Sequence, residues 1–100
     1  MPVQGSYTKV VSAAAKAFEV PYWTIKSPQK LKQTVWDARA AAVHILRTKH
    51  DLLFRDIDII MRRNNCAKHS VKRAEALLET DPAFKRRYKM ALELINEGSN

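Results

Sequence analysis

Apolar residues along this chain recur mainly at three- and four-residue spacing, the period of amphipathic helices rather than of strands. Over residues 6 to about 18, Val10, Val11, Ala14 and Phe18 share one face and predict a first helix. Pro21 stops it, and residues 20–24 read as a short connector carrying Tyr22 and Trp23. Ser27-Pro28 then reads as an N-cap followed by proline at the first helical position. It opens the longest helix, in which Leu31, Val35, Ala38, Ala42 and Ile45 form an apolar stripe to about Lys49. Arg47 and Lys49 fall in its last turn, where cations suit the helix dipole. Asp51 reads as the N-cap of a short helix over residues 52–61, with Leu53, Ile57 and Ile60 facing inward. Arg62-Arg63-Asn64-Asn65 breaks the apolar pattern, and either asparagine suits a turn and a cap. A further helix runs to about Glu79 and buries Ala67, Val71, Ala74 and Leu78. Asp81-Pro82 repeats the stop-and-restart signal, and the last helix puts Phe84, Tyr88, Ala91 and Ile95 on one face. Glu97-Gly98-Ser99-Asn100 reads as a polar, frayed end.

The expected fold is therefore all-α: a compact five-helix domain over residues 1–97, with residues 98–100 as a tail. Composition agrees. One hundred residues suit a single core, and two glycines and four prolines leave β-hairpins and long linkers poorly supplied. Met1 reads as a natural start, and the soft C-terminal end leaves open whether the chain is whole or the N-terminal part of a larger regulator.

Charge changes the picture. Lys and Arg number 18 against 10 Asp and Glu, a formal net charge of +8, which points to a polyanionic partner. No apolar run approaches the ~18 residues of a membrane span. Residues 1–9 have neither a signal core nor an Arg-rich amphipathic pattern, so the expected location is cytoplasmic, at the nucleoid. The single cysteine, Cys66, excludes an internal disulfide and a multi-cysteine zinc site, and it reads as a semi-buried filler. No cofactor or metal is expected. Neither a phosphate-binding glycine loop, a serine nucleophile with its base, nor a carboxylate pair in a common frame is visible, so an enzyme is not expected. His44 and His50 read as core-edge and surface histidines. Tyr7, Tyr22, Trp23, Trp36 and Tyr88 read as core and rim aromatics, because they do not alternate with basic residues as a single-strand binder requires.

The positive charge is not spread evenly. Between Arg62 and Arg73 stand five cations (Arg62, Arg63, Lys68, Lys72 and Arg73) and no acid, whereas the preceding segment holds Asp51, Asp56 and Asp58. A short helix, a few polar residues and a longer helix over residues 51–79 make the helix-turn-helix plan, whose second helix enters the major groove of duplex DNA. Asn64, Asn65, Lys68, His69 and Lys72 are the expected base-reading residues, since Asn suits adenine and Lys suits guanine acceptors or phosphate. Lys26, Lys30, Lys32, Arg62, Arg63 and Arg73 are the expected backbone contacts.

The order of features resembles the C-terminal DNA-binding domain (domain IV) of DnaA, the bacterial replication initiator, from about Val10 to Ile95. Val11-Ser12-Ala13-Ala14-Ala15-Lys16-Ala17-Phe18 followed by Ile25-Lys26-Ser27 is similar to that family's opening helix and the stretch after it. Asp37-Ala38-Arg39-Ala40-Ala41-Ala42-Val43 is similar to the Ala-Arg-x-x-Ala run of its long helix. Asp51-Leu52-Leu53-Phe54-Arg55-Asp56-Ile57 resembles the entry to its helix-turn-helix, and Asp81-Pro82-Ala83-Phe84 its terminal helix. The resemblance implies a Trp-repressor-like fold and duplex DNA as partner.

The signature turn departs from the family's Gly-x-Arg-Asp-His-(Ser/Thr)-(Thr)-Val. Here Arg63 to Val71 keeps His69-Ser70-Val71, with one residue fewer between Ser and Val and Lys68 in place of the acid. A gapless comparison puts Cys66 at the histidine instead, so two registers stand. The arginine that the family inserts into the minor groove falls near Leu31, between Lys30 and Lys32. The family's ATPase module is not in this chain.

A bacterial or phage-related transcription regulator, such as an activator of gene-transfer-agent type, is the expected function, with the fragment a monomer. Val10 and Val11 offer a surface for a partner. Two other readings stand beside it: a protein-interaction module docking RNA polymerase or another acidic subunit, and an architectural protein that binds DNA without sequence preference.

Overall fold

A computed structural model describes residues 3–25, 32–61 and 66–98. Six helices occupy them: α1 (Val3–Ala17), α2 (Tyr22–Ile25), α3 (Gln33–Lys49), α4 (Phe54–Met61), α5 (Cys66–Thr80) and α6 (Pro82–Gly98). No strand occurs among the described residues. The sixth helix is the one-turn α2, which overlaps the expected connector and ends one residue beyond it, at Ile25.

α3 is the centre of the molecule. Every residue from Ala38 to Val43 is buried, so the helix is covered around almost its whole circumference and not along a single stripe. Alanine at 38, 40, 41 and 42 makes this possible, because a methyl side chain lets neighbouring helices approach closely. α1 and α5 both pack on α3, and α6 packs on both α1 and α5. One core joins Val10, Val11, Ala14 and Phe18 of α1 to Ile45 and Leu46 of α3, Ile57 and Met61 of α4, Ala67, Val71 and Ala74 of α5, and Phe84, Tyr88 and Ala91 of α6. Val10 and Val11 are fully buried here, which removes them as a surface for a partner.

The helix ends show where local signals decided the chain path. α1 does not run to Pro21. Glu19 takes the left-handed region at φ 57°, while the Val20 amide donates to Ala15 and the Glu19 amide to Lys16, at 2.9 and 3.2 Å. This is a Schellman closure with a non-glycine residue at its left-handed position. Arg87 of α6 donates to the Ala17 carbonyl at 3.3 Å and so places a cation at the same helix end. Pro21 instead starts α2, its carbonyl accepting from the Thr24 amide and hydroxyl. At α6, Asp81 caps as expected: its Oδ1 accepts from the Ala83 and Phe84 amides at 3.0 and 3.2 Å. α6 continues through Gly98 rather than fraying at Glu97, and Ser99 and Asn100 lie outside the described residues.

Two expected helix starts differ. α3 begins at Gln33 after an extended Lys32 (φ −61°, ψ 156°), so Ser27-Pro28 does not cap it; those residues, and Leu31, lie outside the described set. Asp51 does not cap α4 either. It sits at φ 58°, past the end of α3, and α4 begins three residues later, with the Leu53 carbonyl accepting its first amide, from Ile57. Aspartate tolerates the left-handed region better than most residues, so a cap residue in the sequence serves as a turn residue in the fold. Leu53 is consequently exposed rather than inward, while Ile57 and Ile60 are buried as expected.

Arg39 is the polar exception in the α3 core. Its Nε donates to the Ile25 carbonyl at 2.7 Å and its Nη2 to the Thr24 carbonyl at 3.3 Å. A buried cation thus satisfies the C-terminal carbonyls of α2 and fastens that turn to α3. Replacing it with the apolar Arg39→Met keeps the aliphatic stem but strands these acceptors. The expected cost is about 2–4 kcal/mol, since hydrogen bonds from charged groups contribute about 1.5–3 kcal/mol each. Urea unfolding measures it, and a loss under about 0.5 kcal/mol would show that water replaces the guanidinium.

Candidate nucleic-acid interface

α5 buries Ala67, Val71 and Ala74, with Leu77 and Leu78 partly covered, against α3 and its neighbours. That fixes its outer face. Lys68, His69, Lys72, Glu75, Ala76 and Glu79 are exposed on it. The sign of charge changes along the helix: the first two turns carry Lys68 and Lys72, and the last two carry Glu75 and Glu79. Lys68 and Lys72 are one turn apart, about 6 Å along the axis, so both project on one side with His69 next to them.

α4 packs directly against α5, the two being joined by residues 62–65. Asp58 of α4 holds the junction. Its Oδ1 accepts from the Ala67 amide at 2.8 Å, which satisfies one of the otherwise unpaired donors at the start of α5. The sequence shows no local signal for this contact, because the cap comes from nine residues upstream and depends on how α4 packs against α5.

The expected site residues divide into three groups. Lys68, His69 and Lys72 are brought together and exposed. Asn64, Asn65, Lys26, Lys30, Arg62 and Arg63 lie outside the described residues, as does the Cys66 side chain. Arg73 is a correction: it is half-buried and donates through Nε and Nη2 to Asp37 Oδ1, at 3.1 and 2.9 Å. This guanidinium ties α5 to α3, and Asp37 offsets its charge there. Lys32 is exposed at the start of α3, five residues before Asp37 and so about 7 Å from that ion pair along the axis.

The aromatics and apolar side chains around this region are more exposed than expected. Trp23 is 62% exposed and Trp36 42%, so they are surface residues rather than core or rim. On the α4 side, Leu53, Phe54 and Ile59 are exposed, with the Arg47 guanidinium lying 4.6 Å from the centre of the Phe54 ring. Arg47 also donates to the Leu52 carbonyl at 2.8 Å, pinning the α3–α4 connection.

No group of three or more His, Cys, Asp or Glu among the described residues is placed to hold a metal ion. No helix among them is long and apolar enough to cross a membrane. His50 is exposed and meets Tyr7 edge-on. His44 is half-buried, with Nδ1 2.6 Å from the Tyr88 hydroxyl. Burial pushes its pKa below the ordinary 6.5, an effect opposed by the Glu75 carboxylate and reinforced by the Lys49 charge. Burial also pushes the Tyr88 phenol up, against a hydrogen bond from the Thr48 side chain that lowers it.

The folded state thus favours neutral His44 more than the unfolded chain does. Its contribution to stability is whole above pH 6.5 and is lost as the pH falls below that value. Melting temperatures between about pH 7.5 and about 5.5 are expected to fall less steeply in His44→Gln than in the parent. Parallel curves would assign the acid sensitivity to other groups.

No protein-family model, curated protein or solved structure matches this chain.

Proposed function

We propose that the chain is a double-stranded DNA-binding domain of helix-turn-helix type, serving a bacterial or phage-related transcription regulator, and that it binds rather than catalyses. The observation that carries this reading is the polarised outer face of α5. Its cationic, hydrogen-bonding residues are at the N-terminal end, the end that meets base edges when such a helix lies in the major groove. Glu75 and Glu79 at the other end would repel phosphates, so the helix would enter N-terminus first. Lys68, His69 and Lys72 would face base edges, with Asn64 and Asn65 beside them. Lys26, Lys30, Lys32, Arg62 and Arg63 would neutralise phosphates and set the register. The resemblance to the DnaA C-terminal domain supports the same partner and leaves the target sequence open, because the signature turn differs.

A second reading has its own observation. Leu53, Phe54 and Ile59 are large apolar side chains exposed together on and beside one short helix. Such residues suit docking to a protein such as a polymerase subunit. The two readings separate on salt dependence, since duplex binding through several cations weakens steeply as salt rises and apolar docking does not.

Selection of duplexes from a random pool at about 150 mM salt, where loose charge contacts are screened, is expected to recover a defined motif. Lys68→Ala is expected to cost about 1–3 kcal/mol of binding and to relax preference at one position. A loss that is uniform across sequences, with the salt slope reduced by about one, would make Lys68 a phosphate contact instead. Retention of no duplex would overturn the DNA reading in favour of the protein partner.

A further inference from the structure

α5 accounts for part of the +8 charge only. A second concentration of cations lies on the opposite flank of α3, where α1 and α6 pack together. Lys85, Arg86 and Lys89 are exposed on α6, and Lys16 is exposed near the end of α1. Lys16, Glu19, Arg86, Arg87 and Met90 line a groove of about 510 Å³ between the two helices. Among the described residues, no side-chain hydrogen bond or ion pair engages the Lys16, Lys85, Arg86 or Lys89 side chain. Arg87 is engaged by the Ala17 carbonyl and by Glu19 at 3.5 Å. Glu93 is the other described carboxylate on this face of α6.

We infer that this α1–α6 face is a second, sequence-independent phosphate-binding surface, by which one molecule holds two duplex segments at once. The inference rests on the duplex-binding reading of α5 and extends it.

Position makes the two surfaces separate. α6 starts where α5 ends, at Asp81, while the basic part of α5 is at its other end. Lys68 and Lys72 are 12 and 8 residues from Thr80 in sequence, which is about 18 and 12 Å along the helix axis. The basic start of α5 is thus the part of that helix farthest from the turn into α6. Glu75 and Glu79 lie between as an acidic band. A single duplex seated on the start of α5 would therefore leave the charge on α6 uncompensated.

Chemistry selects the occupant. A protein interface gains its energy from apolar and aromatic anchors at its centre. The only large apolar side chain exposed on the described part of this face is Met90. A membrane-surface helix must insert an apolar face, but that of α6, with Phe84, Tyr88 and Ala91, is buried in the core. Phosphodiester backbone needs only mobile cations spaced along a surface, and that is what α6 presents.

The test uses duplexes of about 12 base pairs, at roughly 3.4 Å per pair close to the 36 Å long dimension of the molecule and too short to wrap it. One duplex is immobilised, the protein is added, and capture of a second, labelled duplex is measured; single-duplex affinity is followed by anisotropy. The parent protein is expected to capture the second duplex. Lys85→Glu/Arg86→Glu/Lys89→Glu is expected to lower capture about tenfold or more and to flatten its log–log salt dependence by roughly two to three units. Its single-duplex affinity should change less than about threefold, and unchanged melting would exclude misfolding as the cause. Capture by this variant equal to the parent's would overturn the second surface and assign bridging to association between copies. Normal single-duplex binding without capture by the parent would overturn it while leaving the α5 reading intact. Absence of duplex binding altogether would overturn both. Displacement of the second duplex by polyglutamate at equal charge concentration would overturn the choice of DNA in favour of an acidic protein.

Discussion

The arrangement of this domain depends on α3 being buried on nearly every side. Along Ala38 to Val43 the helix has no solvent face on which to place polar residues, and it must let several neighbours approach at once. Alanine at 38, 40, 41 and 42 meets both demands. α1 and α5 close on it from two flanks and α6 spans them. A larger side chain at any of these four positions would push a whole helix outward, because a packed interior has few voids to absorb added volume.

Burial on all sides leaves polar bonds to fix direction. Arg39 fastens α2, Arg73 binds Asp37 to hold α5 in rotation against α3, and Asp58 caps α5 from α4. Arg47 and Arg87 close the ends of α3 and α1 on neighbouring elements. Several cations are thus structural. Among the described residues, exposed cations include Lys68 and Lys72 at the start of α5 and Lys85, Arg86 and Lys89 along α6.

That distribution has an electrostatic consequence. The basic residues at the start of α5 and those along α6 belong to different helices, and along α5 the sign of charge reverses from Lys68 and Lys72 to Glu75 and Glu79. The apolar residues on the α4 side form a third kind of surface, one that salt leaves unaffected.

The sequence by itself determined the all-α class, the faces of α1, α5 and α6, the Asp81-Pro82 start of α6 and the exposed Lys68, His69 and Lys72. Each of these depends on residues within a few positions of one another, either through the helical period or through a side chain reaching its own backbone. The tertiary structure decided the rest. Asp51 carries the chemistry of a cap, yet packing of α4 placed it in a left-handed turn. Leu53 fits an inward period that the later start of α4 turned outward. Arg73 looks like any other cation of its run until α3 supplies Asp37, 36 residues away. Asp58 finds an amide that only the fold brings near, and Val10 and Val11 lose their surface to the core. Periodicity states which side of a helix is apolar; which element covers it, and which charge a neighbour neutralises, is set by contacts between residues far apart in the chain.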